Sequence, residues 1–101
     1  MSKKTEVFTV ILSTEHGDDV STRKTHKKAL HVAGKMIAET IKELEDEIDG
    51  DEEGVASLVV LQNHLKEKQF EAAIALYNKL HEDHVTSADA HYLRIKRTTL
   101  K

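Results

Sequence analysis

Along Glu6–Ser13, Phe8, Val10 and Leu12 fall on one side of an extended chain and Val7, Thr9 and Ile11 on the other. A run of β-branched and aromatic residues with two apolar faces predicts a central β-strand. Gly17, Asp18 and Asp19 are turn formers within Glu15–Asp19. Val20–Thr25 then offers a return strand, and whether it pairs decides between two strands and three.

Further on, the period changes. Leu30, Ala33, Ile37, Ile41, Leu44 and Ile48 recur at steps of three and four, with Lys35, Glu39, Lys42, Glu43 and Asp46 between them. The spacing predicts one amphipathic helix from about Thr25 to Ile48, its stripe widened by Val32, Met36 and Ala38. Gly50 suits a left-handed position past its end, and Asp51 is a capping residue for the next element. Val55–Leu61 is apolar enough for a buried strand, but its continuation through Gln62–Lys68 favours a helix, with Leu58, Leu61 and Leu65 sharing a face. Phe70, Ala73, Ile74, Tyr77, Leu80 and His81 form a third helical stripe, separated from the second near Lys68-Gln69. Thr86–Ala90 reads as a loop. His91–Arg97 alternates, with Leu93 and Ile95 on one face and Tyr92, Arg94 and Lys96 on the other, as in a terminal strand.

The expected fold is α+β. A two- or three-stranded antiparallel sheet, built from an N-terminal strand or hairpin plus the C-terminal strand, is covered by three helices on its Phe8/Val10/Leu12 side. No proline occurs to blunt the sheet edges, so these must be charged, covered or paired, and Arg94, Lys96 and Arg97 supply charge.

Composition narrows the class. A chain of 101 residues with 26 Leu, Ile, Val and Phe can build one modest core, not a multi-domain enzyme. Without cysteine there is no disulfide, thiolate metal site or cysteine nucleophile. No apolar stretch approaches membrane-spanning length, and Met1-Ser2-Lys3-Lys4 leads into no long apolar run. A cytoplasmic single domain with no membrane association is the expectation.

Charge is distributed unevenly. The net value is −3, but residues 1–35 carry +3, residues 36–58 carry −8 and residues 59–101 carry +2. An acidic middle between basic ends is either a solvated bend or a dipolar surface that orients the protein on a charged partner.

Several constellations bear on chemistry. Arg23, Lys24, Lys27 and Lys28 surround the start of the long helix, where they oppose its dipole. With the hydroxyls of Thr22 and Thr25 they form a candidate anion cradle, although no glycine-rich phosphate loop accompanies them. His81 and His84 are three apart on the third helix, with Asp89 and His91 near in sequence; this is a weak metal-site candidate, since such a pair at a helix end more often serves as a C-terminal cap and dipole complement. The acidic bend fails the calcium-loop template, because Ala56 or Val60 falls where a bidentate carboxylate is required. Ser13, Ser21, Ser57 and Ser87 lie in no nucleophile context.

Leu65–Tyr77 resembles the second half of a tetratricopeptide repeat, with Phe70, Ala73 and Tyr77 at its aromatic, small and aromatic positions. The likeness covers under a fifth of the chain and has no second copy. A single repeat cannot bury its own face, so the resemblance implies only a tight antiparallel hairpin of helices two and three, with Ala72, Ala73 and Ala75 permitting close approach.

These features favour a small stand-alone protein-interaction module, such as an accessory or inhibitor protein of a bacteriophage or bacterium, with no cofactor and no catalytic residues. Its expected contact is the acidic set Glu43, Asp46, Glu47, Asp49, Asp51, Glu52 and Glu53 against a basic surface of another protein. The alternative is an anion binder, of nucleic acid or a phosphorylated small ligand, using Arg23, Lys24, Lys27, Lys28, Arg94 and Lys96. Val7, Ile11, Val59 and Val60 lie outside the helical stripes and are available to finish the core or to build a homo-oligomer.

Overall fold

The computed structural model describes residues 5–85 and 90–100. Strand β1 (Thr5–Thr14) and strand β2 (Gly17–Arg23) form a hairpin, followed by helices α1 (His26–Glu47), α2 (Glu52–Lys66) and α3 (Phe70–His84) and strand β3 (Tyr92–Leu100). The fold is α+β, with a three-stranded antiparallel sheet in the order β2-β1-β3. Both apolar faces of β1 follow from its central place. Val10 and Leu12 are buried under the helices, while Val7, Thr9 and Ile11 are half-buried on the uncovered face.

The hairpin is tighter than the turn chemistry alone suggests. Gly17, Asp18 and Asp19 belong to β2, opposite Thr14, Ser13 and Leu12, so only Glu15 and His16 reverse the chain. Gly17 sits at φ +116°, a conformation glycine tolerates. The Thr14 hydroxyl closes the turn by accepting from His16 N–H and donating to the Gly17 carbonyl, both at 3.1 Å.

The long helix starts and stops where its caps dictate. Thr25 accepts a hydrogen bond from Lys28 N–H at 3.2 Å, Gly50 adopts φ +85° past the helix end, and Asp51 caps α2 by accepting from Gly54 N–H. The buried row of α1 is Ala29, Ala33, Ile37 and Leu44, continued by the buried Ile48 at its C-cap; Leu30 and Ile41 lie at its margin, and Ala38 faces solvent. This row lies across all three strands, and α3 packs on both α1 and β3. The α2 helix packs on α3 and touches α1 lightly, so it is the outermost layer. Lys68, at φ +60°, turns the chain between α2 and α3, and Gln69 N–H reaches back to the His64 carbonyl at 2.8 Å. Of the three alanines expected to admit close approach, only Ala73 is buried; Ala72 and Ala75 face outward. The expected loop at residues 86–89 lies outside the described residues.

Close contact between α1 and α3 is instead set by Gly34. A Cβ there would lie 2.5 Å from two ring atoms of Phe70, the first residue of α3. Phe70 is also held against the His31 ring, at 4.9 Å between centroids. Gly34→Val is therefore expected to destabilise the fold by about 1–3 kcal/mol through overpacking, measured as a lowered urea midpoint by circular dichroism.

Candidate functional site: an acidic pole

The strand register sorts the charges. Arg23 on β2 and Arg97 on β3 both pair with Phe8, one on each side, and the His26 ring lies 5.4 Å from the Phe8 ring. The basic residues at the start of α1 therefore share one end of the sheet with Arg97. By the rise of a helix, α1 carries the chain about 33 Å away. At the other end are Glu43, Asp46, Glu47 and Asp49, all exposed, then Glu52 and Glu53 at the exposed start of α2.

The hairpin adds Glu15 to that acidic end. Glu15, Glu43 and Glu47 line a narrow cleft of about 130 Å³ together with His81 and His91. Sequence reasoning missed Glu15, because only the β1–β2 turn and its height relative to α1 bring it there. Beneath the cleft runs a polar network. Tyr77, fully buried, has its hydroxyl 2.8 Å from Thr40 Oγ1 and 2.9 Å from His91 Nδ1. With the Thr40 hydroxyl donating to the Met36 carbonyl, the Tyr77 O–H donates to Thr40 and accepts from His91. Burial pushes the Tyr77 phenol up to about 12 against the hydrogen bond with Thr40, and the Glu43 charge adds to the rise.

His81 is the buried polar residue of this end. Its Nδ1 accepts from His91 N–H at 3.1 Å, so the neutral ring carries its proton on Nε2, which has no hydrogen-bond partner among the described residues. Its ring stacks on His91 and tilts against Tyr77, each at 4.6 Å. Burial lowers the His81 pKa to about 4, with the neighbouring His91 adding to the effect.

His84, its proposed metal partner, is engaged elsewhere: its Nδ1 lies 2.7 Å from Asp51 Oδ2, tying the end of α3 to the start of α2. The Gly54 N–H bond holds the Asp51 carboxyl below its ordinary value, and His84 pulls the same way against the opposing effect of desolvation. Asp51 is thus a cap and a tether, unlike the outward-facing acids around it. Among the described residues, no group of three or more His, Asp and Glu side chains is placed to hold a metal ion. Asp89 lies outside the described residues.

The basic candidates divide. Lys24, Lys27 and Lys28 are exposed at the start of α1. Thr25 Oγ1 is occupied by capping, and Thr22 Oγ1 lies 3.4 Å from Thr9 Oγ1. Arg23 donates to Ser21 Oγ and the Thr22 carbonyl. Arg94 and Lys96 lie opposite Ile11 and Thr9 on the uncovered sheet face, away from the α1 side, and Arg94 stands 6.0 Å above the Tyr92 ring. The residue that joins Arg23 near α1 is Arg97, which lines an open cleft of about 370 Å³ with Phe8, His26 and Ile95.

Among the described residues, no helix is long and apolar enough to cross a membrane. No protein-family model, curated protein or solved structure matches this chain.

The buried histidine has a consequence for acid stability. Its folded pKa, about 4, lies below the ordinary 6.5, so the unfolded chain takes up a proton as pH falls through 6.5 while the folded chain does not. Stability is expected to decline from about pH 6.5 towards pH 4, and His81→Gln should flatten the loss that His81 causes. Urea midpoints across that interval measure it; identical slopes in the two proteins would exclude His81 as the cause.

Proposed function

We propose that this chain is a protein-interaction module, a small adaptor or inhibitor that presents its acidic pole to a basic surface of another protein. The observation that carries the reading is charge segregation. Every ion pair among the described residues uses a histidine, and no described lysine or arginine lies within ion-pair distance of a described carboxylate. Opposite charges are held at opposite ends of α1, with no acid in its first turn and no base in its last. Each charge there opposes the helix dipole by roughly 0.3–1 kcal/mol when unscreened. A surface that carries this self-repulsion gains what it can offer a partner: steering of encounter and exclusion of like-charged competitors.

One observation favours a second reading. Arg23 and Arg97 flank Phe8 beside the start of α1, next to exposed Lys24, Lys27 and Lys28, which supports an anion at the basic pole. Nucleic acid or a phosphorylated small ligand would bind there with steep salt dependence. The arrangement of Arg94 and Lys96 supports no part of that site.

Affinity capture with the wild-type chain and with Glu43→Lys/Asp46→Lys/Glu47→Lys/Asp49→Lys separates the readings. The acidic-pole reading expects specific partners to be lost from the variant, with association at low salt slowed by about tenfold or more. Unchanged partners and rates would remove this pole from the interface. Salt-sensitive retention of nucleic acid on a filter, lost in Arg97→Glu, would favour the basic pole instead.

A further inference from the structure

We infer that α2 is the contact face of a homodimer, in which two copies of the helix pack antiparallel about a two-fold axis at Val59. One side of α2 is spent on the core through Gly54, Leu58 and Leu61. The other presents Glu52, Ala56, Val59, Asn63 and Lys66 to solvent at steps of four, three, four and three. That row is the seam of a two-helix contact. Val55 and Val60 flank it, and Val55, Val59 and Val60 are 44%, 52% and 46% exposed. Three exposed valines on one short helix form a concentrated apolar surface, and their β-branched side chains have little rotamer freedom to lose on contact.

The order of the seam selects a second copy as its occupant. Val59 is the midpoint of α2, with Glu52 at one end and Lys66 at the other. Turning one helix about Val59 brings Val59 against its own copy, Ala56 near Asn63, and Glu52 against Lys66 at both ends. A parallel pair would set Glu52 on Glu52 and Lys66 on Lys66. The antiparallel pair is self-complementary in charge and closes after two copies, as an isologous interface must. Neither Glu52 nor Lys66 has an ion-pair partner among the described residues. Ala56 lets the helix axes approach, and the outermost position of α2 leaves it clear of the sheet, with the residues of this row exposed.

Sedimentation equilibrium tests the assembly. Wild-type protein is expected at twice the 11.4 kDa chain mass, dissociating on dilution. Val59→Asp should weaken the dimer by about 100-fold, since it sets two carboxylates against each other across the axis. Glu52→Lys should weaken it by about tenfold, and Glu52→Lys/Lys66→Glu should restore it. Because the chain has no cysteine, Val59→Cys should form a disulfide-linked dimer under mild oxidation, while Glu82→Cys, exposed on α3, should not. Circular dichroism confirms that each variant keeps its helices. A wild-type protein that stays monomeric at all concentrations would overturn the inference. So would a folded Val59→Asp that dimerises normally, or a charge swap that fails to restore association.

Discussion

A three-stranded sheet needs its apolar face covered to be stable in water, and the seam of α1 covers it. Ala29, Ala33, Ile37 and Leu44 share one core with Val10, Leu12 and Leu93 while the same helix receives α3 along Gly34 and Thr40. A rod of 22 residues pinned along most of its length has no freedom to choose where its ends point. The separation of the basic and acidic ends is therefore a product of core packing. Moving either pole means lifting the helix from the sheet, which no surface substitution accomplishes.

Much of the architecture was legible because it is local. Gly50 and Asp51 mark helix boundaries by chemistry that acts within four residues and perform the turning and capping roles read for them, whereas Thr25, read as part of an anion cradle, spends its hydroxyl on capping α1. The strands were legible through alternation, and the third strand followed once Val20 and its neighbours were seen to have a partner in β1. What could not be read is what depends on register between distant segments. Charge grouping along the sequence joined Arg94 and Lys96 to Arg23, yet the pleat puts Arg97 on the α1 side and those two residues on the other face. Period two already contained that answer, since Arg97 shares parity with Leu93 and Ile95. Glu15 carries no such hint: its approach to Glu43 and Glu47 requires the hairpin length, the tilt of α1 and the place of α3 together.

The histidines illustrate the same limit. His81 and His84 look like a pair by spacing, since three residues leave them only about 60° apart around the helix, but the flanking elements capture them separately. His84 meets the cap of α2, whereas His81 sinks between Tyr77 and the His91 backbone. Burial then makes His81 a neutral donor whose Nε2–H has no partner among the described residues, a more costly state than the exposed capping role that spacing alone supports. The cost is bearable because His81 also fixes the start of β3, where Asn78 bonds both the N–H and the carbonyl of Leu93 at 2.7 Å. Side chains of α3 thereby dock the last strand without a strand-to-strand turn.

Pairing of α2 would change what the acidic pole can do. In an antiparallel pair the two poles lie at opposite ends of the contact, so each dimer offers two acidic surfaces facing apart. Two weak, salt-screened contacts to a partner with repeated basic sites gain from the effective concentration that the dimer enforces. A single pole gains nothing of the kind, because charge at an exposed surface mainly sets the rate of encounter. The same geometry leaves Glu43, Asp46, Glu47 and Asp49 outside the valine seam and commits only Glu52 to it. Self-association along α2 and partner binding at the acidic end would therefore draw on neighbouring but separable residues, and at Glu52 the charge that would orient the second copy is continuous with the charge that would orient the partner.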